Sequence, residues 1–186
     1  MLRLPSRWAH ALLLLACVSF LGAAPGEEKT PLDEYIAKPA DVYGYKLVNT
    51  IPGDGSKTFV LEMTSQTYLT PEEVDHTVWR HWMVVTVPDE VKTDVGLLYI
   101  TGGSIDSSAP DKVDPLTSSL AKGSGSVVTE LKGVPNQGLL FKGQTRKRTE
   151  DSLIAYTWDK FLRTGDPKWP ARLPMTKSAV RALDTI

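Results

Sequence analysis

The chain has 186 residues, 41% of them hydrophobic, and a formal net charge of −1. That is enough apolar material for one globular domain with a real core, and it excludes a disordered, fibrous or repeat protein. With no broad basic field, nucleic acid is excluded as a partner class.

The N-terminus reads as an address. Arg3 and Arg7 precede an apolar run from Ala11 to Leu21 that exits through Gly22, Ala23 and Ala24. Charge, length and small-residue exit make residues 1–24 a secretory signal peptide, cut near Ala23 or Ala24. No segment reaches the roughly 20 apolar residues of a spanning helix, so no membrane span is expected. Cys17 is the one cysteine in the sequence and lies inside this segment, so the mature chain would form no disulfide. Leu14-Leu15-Ala16-Cys17 is similar to a lipoprotein cleavage box. However, Leu15 is bulky for its place and the apolar run continues past the cysteine, so cleavage without lipidation is the expectation. The protein should be exported, to a periplasmic or extracellular site.

Residues 25–41 form a polar, proline-punctuated leader with room for one helical turn at Pro31-Leu32-Asp33-Glu34. Two alternating stretches follow, around Tyr43 to Ile51 and Phe59 to Thr64, joined by Pro52-Gly53-Asp54-Gly55-Ser56. Alternation on either side of such turn chemistry predicts an antiparallel hairpin at a sheet edge. Thr70-Pro71-Glu72-Glu73 predicts a short helix start, and Met83 to Val87 a strand stopped by Pro88.

Val95 to Ser104 (Val-Gly-Leu-Leu-Tyr-Ile-Thr-Gly-Gly-Ser) predicts a buried central strand that ends in a glycine loop. Such a loop at a strand's carboxyl end either makes a tight turn or offers N–H groups to an anion. Asp114-Pro115 caps a short helix from Leu116 to Ala121, and Val127 to Leu131 is a further strand. A strand, a helical crossover and a strand suggest a parallel βαβ unit. Glu130 within that last strand calls for a charged partner. The basic run Lys142, Arg146, Lys147 and Arg148 reads as solvated surface. A helix from Asp151 to Arg163 places Ile154, Trp158, Phe161 and Leu162 on one face, expected to pack on the sheet, with Gly165 and Pro167 stopping it. A last helix starts at Thr176 and runs to the final residue, Ile186.

Several ordered motifs now coincide: Met63-Thr64-Ser65-Gln66, Val78-Trp79-Arg80-His81-Trp82, Ile100-Thr101-Gly102-Gly103, Glu130 to Gln137, and Glu150 to Trp158. Together they resemble the PhoPQ-activated pathogenicity-related family across nearly the whole mature chain. The resemblance implies an exported bacterial protein similar to α/β-hydrolases, with Ser-His-Asp acyl-transfer chemistry. It implies an α/β fold with an antiparallel hairpin at the edge, then parallel strands with helices on both faces. Residues 42–186 would be the N-terminal part of that domain, because the Gly-x-Ser nucleophile elbow and the later acid and histidine are absent from the sequence. This chain alone is therefore expected to be inactive.

By the same resemblance Gly102, Gly103 and Ser104 are oxyanion-hole candidates, since in α/β-hydrolases the loop after the third strand gives an N–H to that site. No catalytic residue is assigned. Ser104 lacks the small residue that an elbow needs after it, since Asp106 stands there, and Ser124 precedes a strand instead of following one. His76 and His81, five apart and upstream, fit neither the triad order nor a metal-ligand spacing, so no metal and no cofactor are expected. Trp79, His81 and Trp82 read as packing before ligand platform. The partner class is a small-molecule or peptide substrate. The alternative is a non-catalytic module that binds an envelope component through the same loop and aromatic cluster. A local likeness of Phe161 to Pro167 to carboxylesterases is short and lies in the wrong part of the fold.

Overall fold

The computed structural model describes residues 28–186, so the expected signal segment 1–24 and Cys17 lie outside the described residues. Pro31–Ile186 forms one compact unit. In chain order it contains α1 (Pro31–Ala37), β1 (Gly44–Gly53), β2 (Ser56–Thr67), β3 (Val78–Pro88), β4 (Leu97–Ile100), α2 (Pro115–Ser124), β5 (Val128–Lys132), α3 (Glu150–Thr164) and α4 (Arg172–Leu183).

The strands make one five-stranded sheet in the order β1-β2-β3-β5-β4. The expected edge hairpin is β1–β2, turned at Asp54 and Gly55, with Gly53 facing Ser56 in the register. The expectation of parallel strands thereafter is corrected. β2–β3 and β3–β5 are antiparallel, and β4–β5 is the one parallel pair. The reason is topological: β5 inserts between β4 and β3, so it runs with one neighbour and against the other. The expected central strand at Val95 is likewise an edge strand of four residues, with Leu97, Tyr99 and Ile100 each close to half exposed.

Period-two alternation assigns the faces. One face carries Met63, Met83 and Leu131, which form a core cluster with Ala182 of α4. The opposite face buries Ser56, Thr58, Val60, Val84, Thr86 and Val128, and α2 packs over β2, β3 and β5 there. α2 begins as the sequence implies: the Asp114 carboxylate accepts from the Leu116 N–H at 2.7 Å. Thr70 to Glu73, expected to open a helix, forms only a turn, in which the Glu73 carboxylate accepts from the Thr70 N–H at 3.2 Å and its hydroxyl at 3.1 Å.

Beyond the sheet end a second cluster gathers Tyr68, Val74, Trp79, Leu139, Phe141, Leu153, Trp169 and Ala171. α3 enters it through Leu153 and buried Thr157, with Tyr156 and Phe161 alongside. The expected inward face is therefore corrected, because Trp158 is 41% and Leu162 76% exposed. Thr157 displaces it for a polar reason: its hydroxyl donates to the Ile154 carbonyl at 3.0 Å and accepts the Ala171 N–H at 3.2 Å, tying α3 to the start of α4.

The leader is docked through a buried lysine. Lys177 of α4 is 4% exposed, donates to the Lys38 and Tyr35 carbonyls at 2.6 and 3.2 Å, and lies 5.3 Å from the Tyr35 ring centroid. The acceptors are C-terminal carbonyls of α1, where a cation also meets the favourable end of the helix dipole. Burial, with Arg181 and Lys38 nearby, lowers the Lys177 pKa. Burial also raises the pKa of Tyr35 to about 12. Lys177→Ala should cost about 1 to 3 kcal/mol, because two carbonyls lose their donor. It should also expose residues 31–37 to limited proteolysis before the rest of the chain; unchanged cleavage there would refute the clamp.

Candidate functional site

The glycine loop after β4 borders a cavity of about 190 Å³. The sheet builds its wall. Glu62, Trp82 and Lys132 face one another across β2, β3 and β5, and Arg80 lies next to Trp82 on the same face of β3. The loop after β4 completes the lining with Gly102, Gly103, Ser104 and Ile105 and, further on, Ser107, Ser108 and Pro110. The cavity sits at the carboxyl ends of the parallel pair β4 and β5, the position that open α/β sheets reserve for ligands.

The loop is pinned from below. The Val134 N–H donates to the Thr101 carbonyl at 3.1 Å, the Gly133 N–H to the Gly102 carbonyl at 3.0 Å, and the Ile105 N–H to the Gln137 carbonyl at 2.6 Å. Gly103 has φ +155°, and a Cβ there would stand 3.2 Å from the Gly133 nitrogen and 3.3 Å from its Cα. Only glycine fits this crossing of two backbones.

The three candidates differ in what their amides do. The Ser104 N–H donates to Ser107 Oγ at 3.3 Å. Among the described residues neither the Gly102 nor the Gly103 N–H has a protein acceptor. The charges are unevenly committed too. Lys132 Nζ is 2.6 Å from Glu130 Oε1, and Glu62 pairs with Lys46 at 3.3 Å. Arg80 is exposed, and its guanidinium has no acceptor among the described residues. Glu130, 5% exposed, has the partner its burial requires and also accepts from the Thr101 hydroxyl at 3.0 Å. Outside the cavity lining, the carboxylate of Glu150 approaches Gly102 and is held by the Gln137 side-chain amide. Gln137 donates to Glu150 Oε1 and accepts the Glu150 N–H, both at 2.6 Å.

Behind the loop lies a pair that sequence reasoning did not join. The Ser65 hydroxyl is 2.9 Å from His81 Nε2, and His81 Nδ1 is 3.0 Å from the Gly133 carbonyl. A carbonyl only accepts, so Nδ1 carries the proton and Nε2 accepts from Ser65. Burial lowers the His81 pKa to about 4, holding the ring neutral. A serine donating to an anchored imidazole resembles a nucleophile and its base, yet Ser65 is 0% and His81 2% exposed. Ser178 Oγ lies 3.1 Å from Ser65, and Gln66 Nε2 donates to Ser65 Oγ at 3.2 Å and to the Pro174 carbonyl at 2.8 Å, which seals the pair under α4. Its role is support: His81 holds Gly133, and Gly133 holds the glycine loop. Its sequence signal was present in the two motifs around Ser65 and His81, but spacing alone does not reveal a cross-strand contact.

Trp79 is fully buried, as packing predicts, whereas Trp82 donates its indole N–H to the Ser107 carbonyl at 3.0 Å and lines the cavity. His76 stays apart from His81, in the turn beside Asp75 at 3.1 Å. No helix among the described residues is long and apolar enough to cross a membrane.

Two comparisons relate the sequence to known proteins. A family model described as PhoPQ-activated pathogenicity-related protein matches residues 32–186. The chain is also 40% identical over 177 residues to autocrine proliferation repressor protein A of Dictyostelium discoideum, an alignment covering 94% of this chain and 34% of that protein. The chain thus spans about a third of the length of the curated relative it matches.

Proposed function

The chain belongs to the PhoPQ-activated pathogenicity-related family, and from that premise we propose that it forms the oxyanion side of an exported, serine-hydrolase-like domain. The single observation that carries the reading is the pair of unpartnered amides at Gly102 and Gly103 beside a cavity at a strand's carboxyl end. Preorganised N–H donors of this kind stabilise the charge that develops on an acyl oxygen. Gly102 and Gly103 would be those donors, with Ser104 shaping the loop through Ser107.

The proposal takes the nucleophile, acid and histidine from sequence beyond Ile186. Its support is the outer edge of β4, which pairs with no strand among the described residues. Beside it lies a mainly apolar groove of about 450 Å³ lined by Val95, Leu98, Val127, Leu183 and Ile186. An unpaired apolar strand edge is a surface that further sheet would cover. Export rests on the signal-like N-terminus. Because the curated relative is eukaryotic, family membership and a bacterial source are separate matters. A fluorophosphonate probe, which labels activated serines, tests the reading. The chain ending at Ile186 should stay unlabelled, while a longer homologous chain that continues past this position should react. Labelling of the short chain, or none of the long one, would sink it.

A further inference from the structure

We propose that the cavity binds a small organic anion, with its carboxylate on Arg80 and its apolar body against Trp82, Ile105 and Pro110. For the reacting end of a substrate this rests on the acyl-transfer reading, and it adds the class: an acyl compound carrying a carboxylate. The binding itself rests on Arg80.

Three ionic side chains line the cavity: Glu62, Arg80 and Lys132. Glu62 is neutralised by Lys46, and Lys132 by the buried Glu130. That leaves Arg80 with its forked donors free, on the same sheet face as Trp82 and Lys132. A guanidinium presents parallel N–H groups that match a carboxylate in two bonds, and its neighbours are hydroxyls and unpartnered amides. The carboxylate on the cavity wall, Glu62, is already paired with Lys46 and makes no ion pair with Arg80. The same lining includes an indole fixed by its bond to Ser107, a proline and an isoleucine. A site with one uncommitted cation, several donors and apolar side chains among them discriminates for an anion with an apolar body. A volume of about 190 Å³ suits a ring or short chain, not a polymer.

The test uses the full chain and ligand-observed fluorine NMR, with para-fluorobenzoate as probe and para-fluorobenzamide as its neutral isostere. The benzoate should bind saturably and the benzamide far more weakly. Arg80→Gln should weaken the benzoate roughly 10- to 100-fold, the loss expected for a hydrogen-bonded charge pair. Arg80→Lys should recover part of it. Arg80 is exposed, so both variants should keep the unfolding transition of the parent. Inorganic phosphate should compete less well than unlabelled benzoate, because it lacks the apolar body. Equal binding of benzoate and benzamide, unchanged binding by Arg80→Gln, or phosphate competing as well as benzoate would each overturn the proposal. The readout is binding, so an absence of esterase activity in any chain bears on the acyl-transfer reading alone.

Discussion

Replacing Gly103 by valine should cut turnover in a longer, active homologue on the order of 100- to 1000-fold while leaving substrate binding nearly intact. An oxyanion donor acts on charge that exists only in the transition state, and losing one such donor costs about that much in kcat. The structure supplies the means. At φ +155° a branched side chain is strained, and its Cβ would press on Gly133 from 3.2 Å. Gly133 must yield, and with it the bond from its N–H to the Gly102 carbonyl. In the present chain the same substitution should lower stability by about 2 to 5 kcal/mol, from backbone strain and overpacking together. Gly103→Ala provides the milder case, since alanine adds the Cβ without the branch. The checks are kcat and KM measured separately, and chemical denaturation. If turnover is unchanged in a folded valine variant, the loop is only a turn.

Acid should unfold the chain earlier than its carboxylates alone would dictate, through His81. The unfolded histidine titrates near 6.5, and the folded one near 4 because burial disfavours the cation. Above pH 6.5 both states are neutral and the full stability is present. As pH falls below 6.5 the unfolded state takes up the proton first, so stability drops by about 1.4 kcal/mol per unit and is lower by about 3 kcal/mol once pH reaches 4. Denaturation midpoints measured between pH 7 and 5 should follow that slope, and His81→Gln should flatten it. Equal slopes in the two proteins would show that His81 is not the titrating group. Because His81 Nδ1 donates to Gly133, protonation at Nε2 turns the acceptor of the Ser65 hydroxyl into a donor and disturbs the support of the glycine loop as well.

Local chemistry was legible in the sequence. Alternation flanking Gly53 to Ser56 announced the hairpin, Asp114-Pro115 started α2, and Gly165, at φ +69°, ends α3 by accepting the left-handed turn. Glu130 announced its need for a cation and found Lys132. Long-range choices were legible only in part. The parallel unit of β4, α2 and β5 is as the strand, crossover and strand suggested, but that β3 lies antiparallel on the other side of Val128–Lys132 depends on a pairing across some 40 residues, and apolar runs look alike in either direction. α3 was misread because Thr157 is buried for its hydroxyl, which periodicity of apolar residues cannot register. In the site, the loop glycines stood out as glycines, but the freedom of their amides and of Arg80 follows from where every other donor and acceptor has gone.

The Lys177 clamp also sets an order of events during synthesis. Tyr35 emerges from the ribosome 142 residues before the lysine that holds its carbonyl. At about 5 to 20 residues per second, roughly 7 to 28 s separate the two. Throughout that interval α1, a helix of seven residues, is too short to persist alone. Residues 31–37 therefore gain their docked helix only after every described strand of the sheet has already been translated.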